Sequence, residues 1–97
     1  MADEQHAPRQ VIWSDRSRRD LERIRGYIGQ FKPLAARRFT ARLVSTVESL
    51  ADFPHQGRRV GAEVRELTTV APYIVRYRVT AKAVQVVWIK HGAQLRD

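Results

Sequence analysis

Residues 64–94, which read VRELTTVAPYIVRYRVTAKAVQVVWIKHGAQ, are the stretch that decides the fold. Their β-branched and aromatic residues predict three strands, near residues 64–70, 73–80 and 84–90, with a hairpin turn at residues 81–83. Because side chains alternate between the two faces of a strand, Arg76 and Arg78 are predicted to share the face opposite to Tyr77. Two arginines on one face of a sheet indicate a binding surface for an anionic partner.

The chain before this stretch predicts one strand and two amphipathic helices. An apolar run at residues 10–13 predicts the strand, and Ser14 after it is a typical helix N-cap. Apolar residues at three- and four-residue spacing then predict helices over residues 15–30 and 33–51. The first set is Leu21, Ile24, Ile28 and Phe31, and the second is Ala36, Phe39, Leu43, Val47 and Leu50. Because the connection between the helices is very short, they are predicted to form an antiparallel hairpin.

The second helix is predicted to stop at Pro54, with Phe53 as an aromatic plug in the corner. Residues 55–63 then predict a loop that carries Arg58 and Arg59. The resulting order β-α-α-β-β-β predicts a two-layer α+β domain, in which the helical hairpin packs on a small, mainly antiparallel sheet. Residues 1–8 are predicted to be a flexible N-terminal tail, and residues 9–97 a single domain.

Composition narrows the class of function. The 97 residues carry a formal net charge of +8, which favours nucleic acid, an acidic protein segment or a membrane surface as partner, unless the arginines only solvate the surface. There is no cysteine, which excludes thiolate chemistry and fits a cytoplasmic protein. The chain shows no apolar run of membrane length and no signal-peptide pattern at its start. The three histidines have no ligand spacing, so neither a metal site nor a cofactor is expected.

Local patterns along nearly the whole chain, about residues 10–94, carry a resemblance to a known family. They are Trp13-Ser14 followed by Asp20-Leu21, Ala35-Ala36 with Phe39, the corner LADFPHQGR at residues 50–58, Val64-Arg65-Glu66-Leu67, Pro72-Tyr73 with Tyr77-Arg78-Val79, and His91-Gly92-Ala93. In this order they resemble the RelE/ParE toxin superfamily of bacterial type II toxin–antitoxin modules, and its ParE branch most. Each pattern also has a structural reading: Arg65 and Glu66 are expected to form surface pairs, and Trp13 and Trp88 to pack in the core or an interface.

The ParE resemblance implies a toxin that acts by binding. Members of that branch poison DNA gyrase, and no motif defines their contact residues. The candidate target-binding residues are the cations of the last strands and the chain end: Arg76, Arg78, Lys90, His91 and Arg96.

The RelE branch implies a different activity, ribosome-dependent cleavage of mRNA. Its candidate catalytic residues here would be Arg65, Arg76, Arg78 and His91, since RNA cleavage needs cations and a proton-transfer group. RelE-like nucleases typically carry an aromatic residue after the last strand and a basic cluster before the sheet. This chain ends HGAQLRD and has only Arg58 and Arg59 in the loop, so the sequence favours binding over catalysis. For His91, a structural or binding role is favoured over a catalytic one. A non-toxic binding module of the same fold is the third alternative.

The resemblance also implies a partner. A toxin of this family is neutralised by a cognate ParD-like antitoxin, whose acidic, amphipathic C-terminal segment folds on the toxin to give a hetero-oligomer. The candidate antitoxin-binding residues lie on the polar side of the second helix: Arg37, Arg38 and Arg42. Operator DNA is expected to be bound only indirectly, through the antitoxin, and the protein is expected in the bacterial cytoplasm without a membrane partner.

Overall fold

The computed structural model describes residues 7–93, which form one sheet with two helices packed on it. The first elements are β1 (Gln10–Trp13), α1 (Asp15–Gly29) and α2 (Pro33–Glu48), which a 3-10 turn at Ser49–Ala51 continues. The strands that follow are β2 (Arg58–Gly61), β3 (Val64–Leu67), β4 (Tyr73–Val79) and β5 (Ala83–His91). Of the predicted tail, residues 1–6 lie outside the described residues.

The sheet has the strand order β1-β5-β4-β3-β2. β1 runs parallel to β5, and the other neighbouring strands are antiparallel. The predicted α+β class, with a helical hairpin on a mainly antiparallel sheet, is therefore confirmed. α1 begins as expected, because the Ser14 hydroxyl accepts a hydrogen bond from the Ser17 N–H at 3.0 Å and caps the helix.

The structure adds one strand that the sequence did not predict. Residues 58–61 were expected to lie in a loop, but Arg58 and Arg59 pair with Glu66 and Arg65 of β3 across a tight turn. The turn contains Glu63 in the left-handed region at φ 62°. All residues of β2 are exposed at the sheet edge, so its sequence has no alternation of apolar and polar residues that would indicate a strand.

The core lies between the helices and the sheet and contains the predicted helical positions. Ile24, Leu43, Val47 and Leu50 are buried there against residues of β3, β4 and β5. Phe31, which the spacing placed on the same stripe of α1, is instead 70% exposed. α1 ends at Gly29, so Phe31 falls in the turn and no longer follows the helical spacing.

A β-bulge in β5 decides which side chains face the helices. Arg76 of β4 pairs with Trp88, but the next residue, Tyr77, pairs with Val86, so Val87 is the extra residue. The polar groups that the bulge leaves unpaired are bound by α1 and its cap. The Ser14 hydroxyl donates to the Val87 carbonyl at 2.9 Å, and the Asp20 carboxylate accepts the Ile89 N–H at 3.0 Å.

The corner after α2 is closed by Tyr77. Its hydroxyl donates to the Pro54 carbonyl at 2.7 Å and accepts from the Gly57 N–H at 2.8 Å. A Cβ on Gly57 would lie 2.7 Å from the Glu66 carbonyl oxygen, so the corner has no room for a larger residue there. The expectation that Phe53 plugs this corner is wrong: its side chain is 65% exposed, because Tyr77 reaches the site from β4.

Candidate functional site

The side of the sheet that faces away from the helices, called the open face below, carries most of the predicted target-binding cations. Arg76 and Arg78 lie on it together, as the alternation predicts, while Tyr77 between them is buried in the core. The register places Arg76 between Glu66 of β3 and Trp88 of β5, and Arg78 beside Gln85.

Arg76 is bound to a buried carboxylate. Its Nε and Nη2 atoms both donate to Oε2 of Glu66, at 3.0 and 2.6 Å, and Nη2 of Arg58 lies 3.8 Å from the other carboxylate oxygen. Glu66 is only 4% exposed, so the expectation of a weak surface pair is wrong for this residue. The pair compensates the charge of Arg76, so Arg76 is less available to an external anion than the sequence suggested.

Trp88 lies beneath two cations. The guanidinium carbon of Arg76 and the Nζ atom of Lys90 each lie 4.8 Å from the centre of its ring system, within cation–π range. Trp88 is 6% exposed, so its ring offers no stacking surface to a ligand. The tryptophan supports the positions of the two cations, which agrees with the packing role expected for it.

Arg78 is the open-face cation most available to a partner. Its side chain is exposed, and it makes no side-chain hydrogen bond or ion pair with any residue between 7 and 93. Lys90 lies opposite Ile74, four residues from Arg78 along β4, and its ammonium lies above Trp88. The predicted candidate Arg96 lies outside the described residues.

The remaining nuclease candidates lie on the helix side of the sheet. Arg65 pairs with Tyr77 in the register, and its Nη1 atom donates to the Gly57 carbonyl at 2.8 Å. The rings of His91 and Tyr73 meet edge to face, with their centroids 5.4 Å apart, and Nδ1 of His91 accepts a hydrogen bond from the Ala93 N–H at 3.1 Å. The structure therefore does not bring Arg65 and His91 together with Arg76 and Arg78.

The predicted antitoxin-binding arginines lie on the outer surface of α2. Arg37 and Arg38 are exposed, and Arg42 reaches toward the Thr69 carbonyl with a long contact of 3.4 Å. Arg37 lines a shallow groove together with Arg25 of α1 and Val44. These side chains give the helical hairpin a basic outer surface.

The two sides of the sheet differ in the side chains that they carry. Among the described strands, the open face presents cations and one carboxylate bound beneath them, with no histidine or tyrosine on that side. The buried Tyr77 and the half-buried Tyr73 lie on the helix side. Burial raises the pKa of Tyr77, partly offset by its hydrogen bond from Gly57 and by the charge of Arg65, and partial burial raises the pKa of Tyr73. Within residues 7–93 no group of metal-ligating side chains clusters, and no helix is long and apolar enough to span a membrane.

Glu66 is an open-face residue whose role the sequence did not predict. The sequence alone does not reveal its burial, because its partner, Arg76, is ten positions away and faces it only in the observed register. The sequence does place Glu66 and Arg76 in neighbouring predicted strands, but it does not define the register that sets them opposite each other.

Comparisons with known proteins agree on one family. The profile of a family described as the ParE toxin of the type II toxin–antitoxin system parDE matches residues 11–96. Toxin RelE2 of Caulobacter vibrioides is 49% identical over 86 residues, which cover 89% of this chain and 98% of the relative. Toxin RelE1 of the same organism is 34% identical over 89 residues, covering 89% and 96% of the two chains. A solved structure titled as the chromosomal ParDE TA system from P. aeruginosa shares the fold, with a TM-score of 0.74 over 86% of this chain and 95% of its own, at 24% identity.

Proposed function

Because the chain belongs to the ParE toxin family of type II toxin–antitoxin systems, we propose that it acts by binding DNA gyrase and not by cutting RNA. It would stabilise the cleaved gyrase–DNA complex and block replication. The observation that supports this proposal is the composition of the open face, where Arg76, Arg78 and Lys90 lie and where the strands of residues 10–91 place no histidine or tyrosine beside them. General acid–base cleavage of RNA requires a proton-transfer group near the scissile phosphate.

Within this proposal, Arg78 and Lys90 contact the target, and Arg76 holds its place between Glu66 and Trp88. An exposed arginine without an intramolecular partner loses little on binding, because it gives up no existing ion pair. Arg76 would first have to leave Glu66, and that would leave the buried carboxylate with only the longer contact to Arg58, at 3.8 Å.

The second candidate function is ribosome-dependent cleavage of mRNA. The relatives from Caulobacter vibrioides carry the name RelE, which is the observation in its favour. Its candidate catalytic residues, Arg65, Arg76, Arg78 and His91, are divided between the two sides of the sheet. That separation gives a nuclease mechanism less support than binding. A toxin fold that only binds partners is a third alternative, and it predicts no growth inhibition at all.

Inhibition by a cognate antitoxin completes the proposal. The partner is a ParD-like protein whose acidic segment binds the arginines on α2, including Arg37, Arg38 and Arg42, in the bacterial cytoplasm. Operator DNA is then bound through the antitoxin. The support is the net charge of +8 and the exposed basic surface of the hairpin.

The test is to induce the chain in a bacterial host and follow an SOS reporter together with the integrity of mRNA. We expect growth arrest with SOS induction and intact mRNA, rescue when the neighbouring antitoxin gene is co-expressed, and inhibition of purified gyrase in a supercoiling assay. Rapid mRNA cutting at ribosomal A sites without an SOS response would refute gyrase as the target. Growth without any arrest would favour the non-toxic module.

A further inference from the structure

The turn end of the helical hairpin exposes three large apolar side chains within residues 27–34. Tyr27, Phe31 and Leu34, called the hairpin patch below, are 61%, 70% and 57% exposed. The rings of Tyr27 and Phe31 contact each other edge to face, with their centroids 5.8 Å apart. Tyr27 and Phe31 thus form an exposed aromatic pair, with Leu34 three residues further along the chain. Clustered exposed apolar side chains are typical of a binding site, whereas single ones need no explanation.

A cavity of about 160 Å³ adjoins the hairpin patch. It lies between α1 and the end of the sheet, and its lining residues are Arg23, Ile24, Tyr27, Tyr73, Ile89 and His91. Its volume is close to that of a cavity of about 150 Å³ that holds a benzene molecule, so one aromatic or leucine side chain would fit, with Arg23 and His91 at its polar wall. The patch and the cavity share Tyr27, which makes them one continuous surface.

The surroundings of this surface are basic. Residues 15–48 contain nine basic and four acidic side chains. Two of those acids are already engaged, because Asp20 binds Arg23 at 3.0 Å and Glu22 binds Arg25 at 2.9 Å. Lys32, Arg37 and Arg38 make no ion pair with any residue in the described part of the chain. An apolar surface with unpaired cations around it is complementary to an acidic, amphipathic segment.

We propose that the hairpin patch and its cavity are the anchor site for the acidic segment of the antitoxin, with one large apolar side chain of that segment inserted between Tyr27 and Tyr73. This inference rests on the proposed antitoxin partnership. It places Tyr27, Phe31, Tyr73 and His91 in the antitoxin site, on the helix side of the sheet. Arg78 and Lys90 on the open face then remain outside this anchor.

The test compares two exposed phenylalanines. Phe31→Ser removes the centre of the patch, and Phe53→Ser is the matched control, because Phe53 is 65% exposed at the distant corner after α2. Affinity for the antitoxin encoded beside the toxin gene is measured by calorimetry, and circular dichroism confirms folding of both variants. We expect Phe31→Ser to weaken binding tenfold or more and Phe53→Ser to leave it unchanged. Equal affinities of Phe31→Ser and the wild-type chain would overturn the assignment, as would equal weakening by both substitutions.

A crosslinking experiment tests the site without removing apolar contacts. A photoreactive benzoylphenylalanine at position 27 should capture the apolar face of the antitoxin's acidic segment, and the same residue at position 53 should not. Capture of a second toxin chain at position 27, with dimers that Phe31→Ser abolishes, would show a self-interface and overturn the proposal. A wild-type chain that binds no antitoxin refutes the proposed partnership itself, whereas full-affinity binding by Phe31→Ser refutes only the anchor site.

Discussion

The hydroxyl of Tyr77 joins the corner after α2 to the centre of the sheet, and its removal gives a sharp test of how the fold is held together. Tyr77→Phe keeps the ring in the core but deletes the bonds to the Pro54 carbonyl and the Gly57 N–H, which are 2.7 and 2.8 Å long. Both backbone groups would stay buried without a partner, since Pro54 and Gly57 are themselves buried. The substitution therefore costs more than the hydrogen bonds alone.

The magnitude follows from the two orphaned groups. A buried polar group that loses its only partner costs about 1–3 kcal/mol. With two such groups, Tyr77→Phe should lower the free energy of unfolding by about 3 kcal/mol. With a urea m-value of about 1.5 kcal/mol per M for a chain of this size, the urea midpoint should fall by about 2 M. That is a large share of the stability of a small domain, which is typically about 5–15 kcal/mol.

The assay is urea unfolding followed by circular dichroism and tryptophan fluorescence. Tyr73→Phe is the matched control, because the Tyr73 hydroxyl makes no hydrogen bond within residues 7–93. This substitution should lower the free energy of unfolding by less than about 0.5 kcal/mol. A Tyr77→Phe chain as stable as the Tyr73→Phe chain would refute the reasoning, since the corner would then not depend on the hydroxyl. A changed m-value would instead indicate an altered unfolded state.

Other predictions concern pH, the bulge and the open face. Burial raises the pKa of Tyr77 above the ordinary value of 10.0, so the unfolded chain ionises first and stability should fall as pH rises above about 10; Tyr77→Phe should flatten this fall in alkaline urea titrations. Asp20→Ala should lower the free energy of unfolding by about 2–3 kcal/mol, because it leaves the Ile89 N–H without an acceptor, and hydrogen exchange at Ile89 should accelerate. Asp20→Asn keeps an acceptor oxygen and should lower the stability less. Arg78→Gln should change the melting temperature little but weaken growth inhibition and gyrase binding at least tenfold, and full toxicity of this variant would exclude the open face as target site.

The sequence predicted the parts of the fold that burial controls. The helical spacing of Leu43, Val47 and Leu50 is set by one continuous contact with the sheet, so it was readable without the structure. The strand β2 was not readable, because its residues 58–61 are exposed and are held only by backbone pairing with β3. The burial predicted for Phe31 is wrong for a different reason. The three- and four-residue spacing of apolar residues extends to Phe31, but the helix itself ends at Gly29.

The candidate site was predictable only in part, because it depends on register. Alternation within β4 correctly placed Arg76 and Arg78 on one face, since that strand is regular. Which residues lie opposite them depends on the bulge in β5, and the run of apolar residues 86–89 gives no sign of it. The pairing of Arg76 with Glu66 likewise appears only after β3 and β4 are aligned.

The bulge links the two proposed surfaces of the toxin to the first turns of α1. Without the extra residue Val87, alternation would turn Trp88 toward the helices, and Arg76 would lose the ring that supports it on the open face. The same residue sets the side on which His91 meets Tyr73, next to the hairpin patch. Because the side chains of Ser14 and Asp20 bind the Val87 carbonyl and the Ile89 N–H, they hold both faces in register. Loss of the Asp20 carboxylate should therefore weaken target and antitoxin binding together, whereas substitutions on either surface should affect only one.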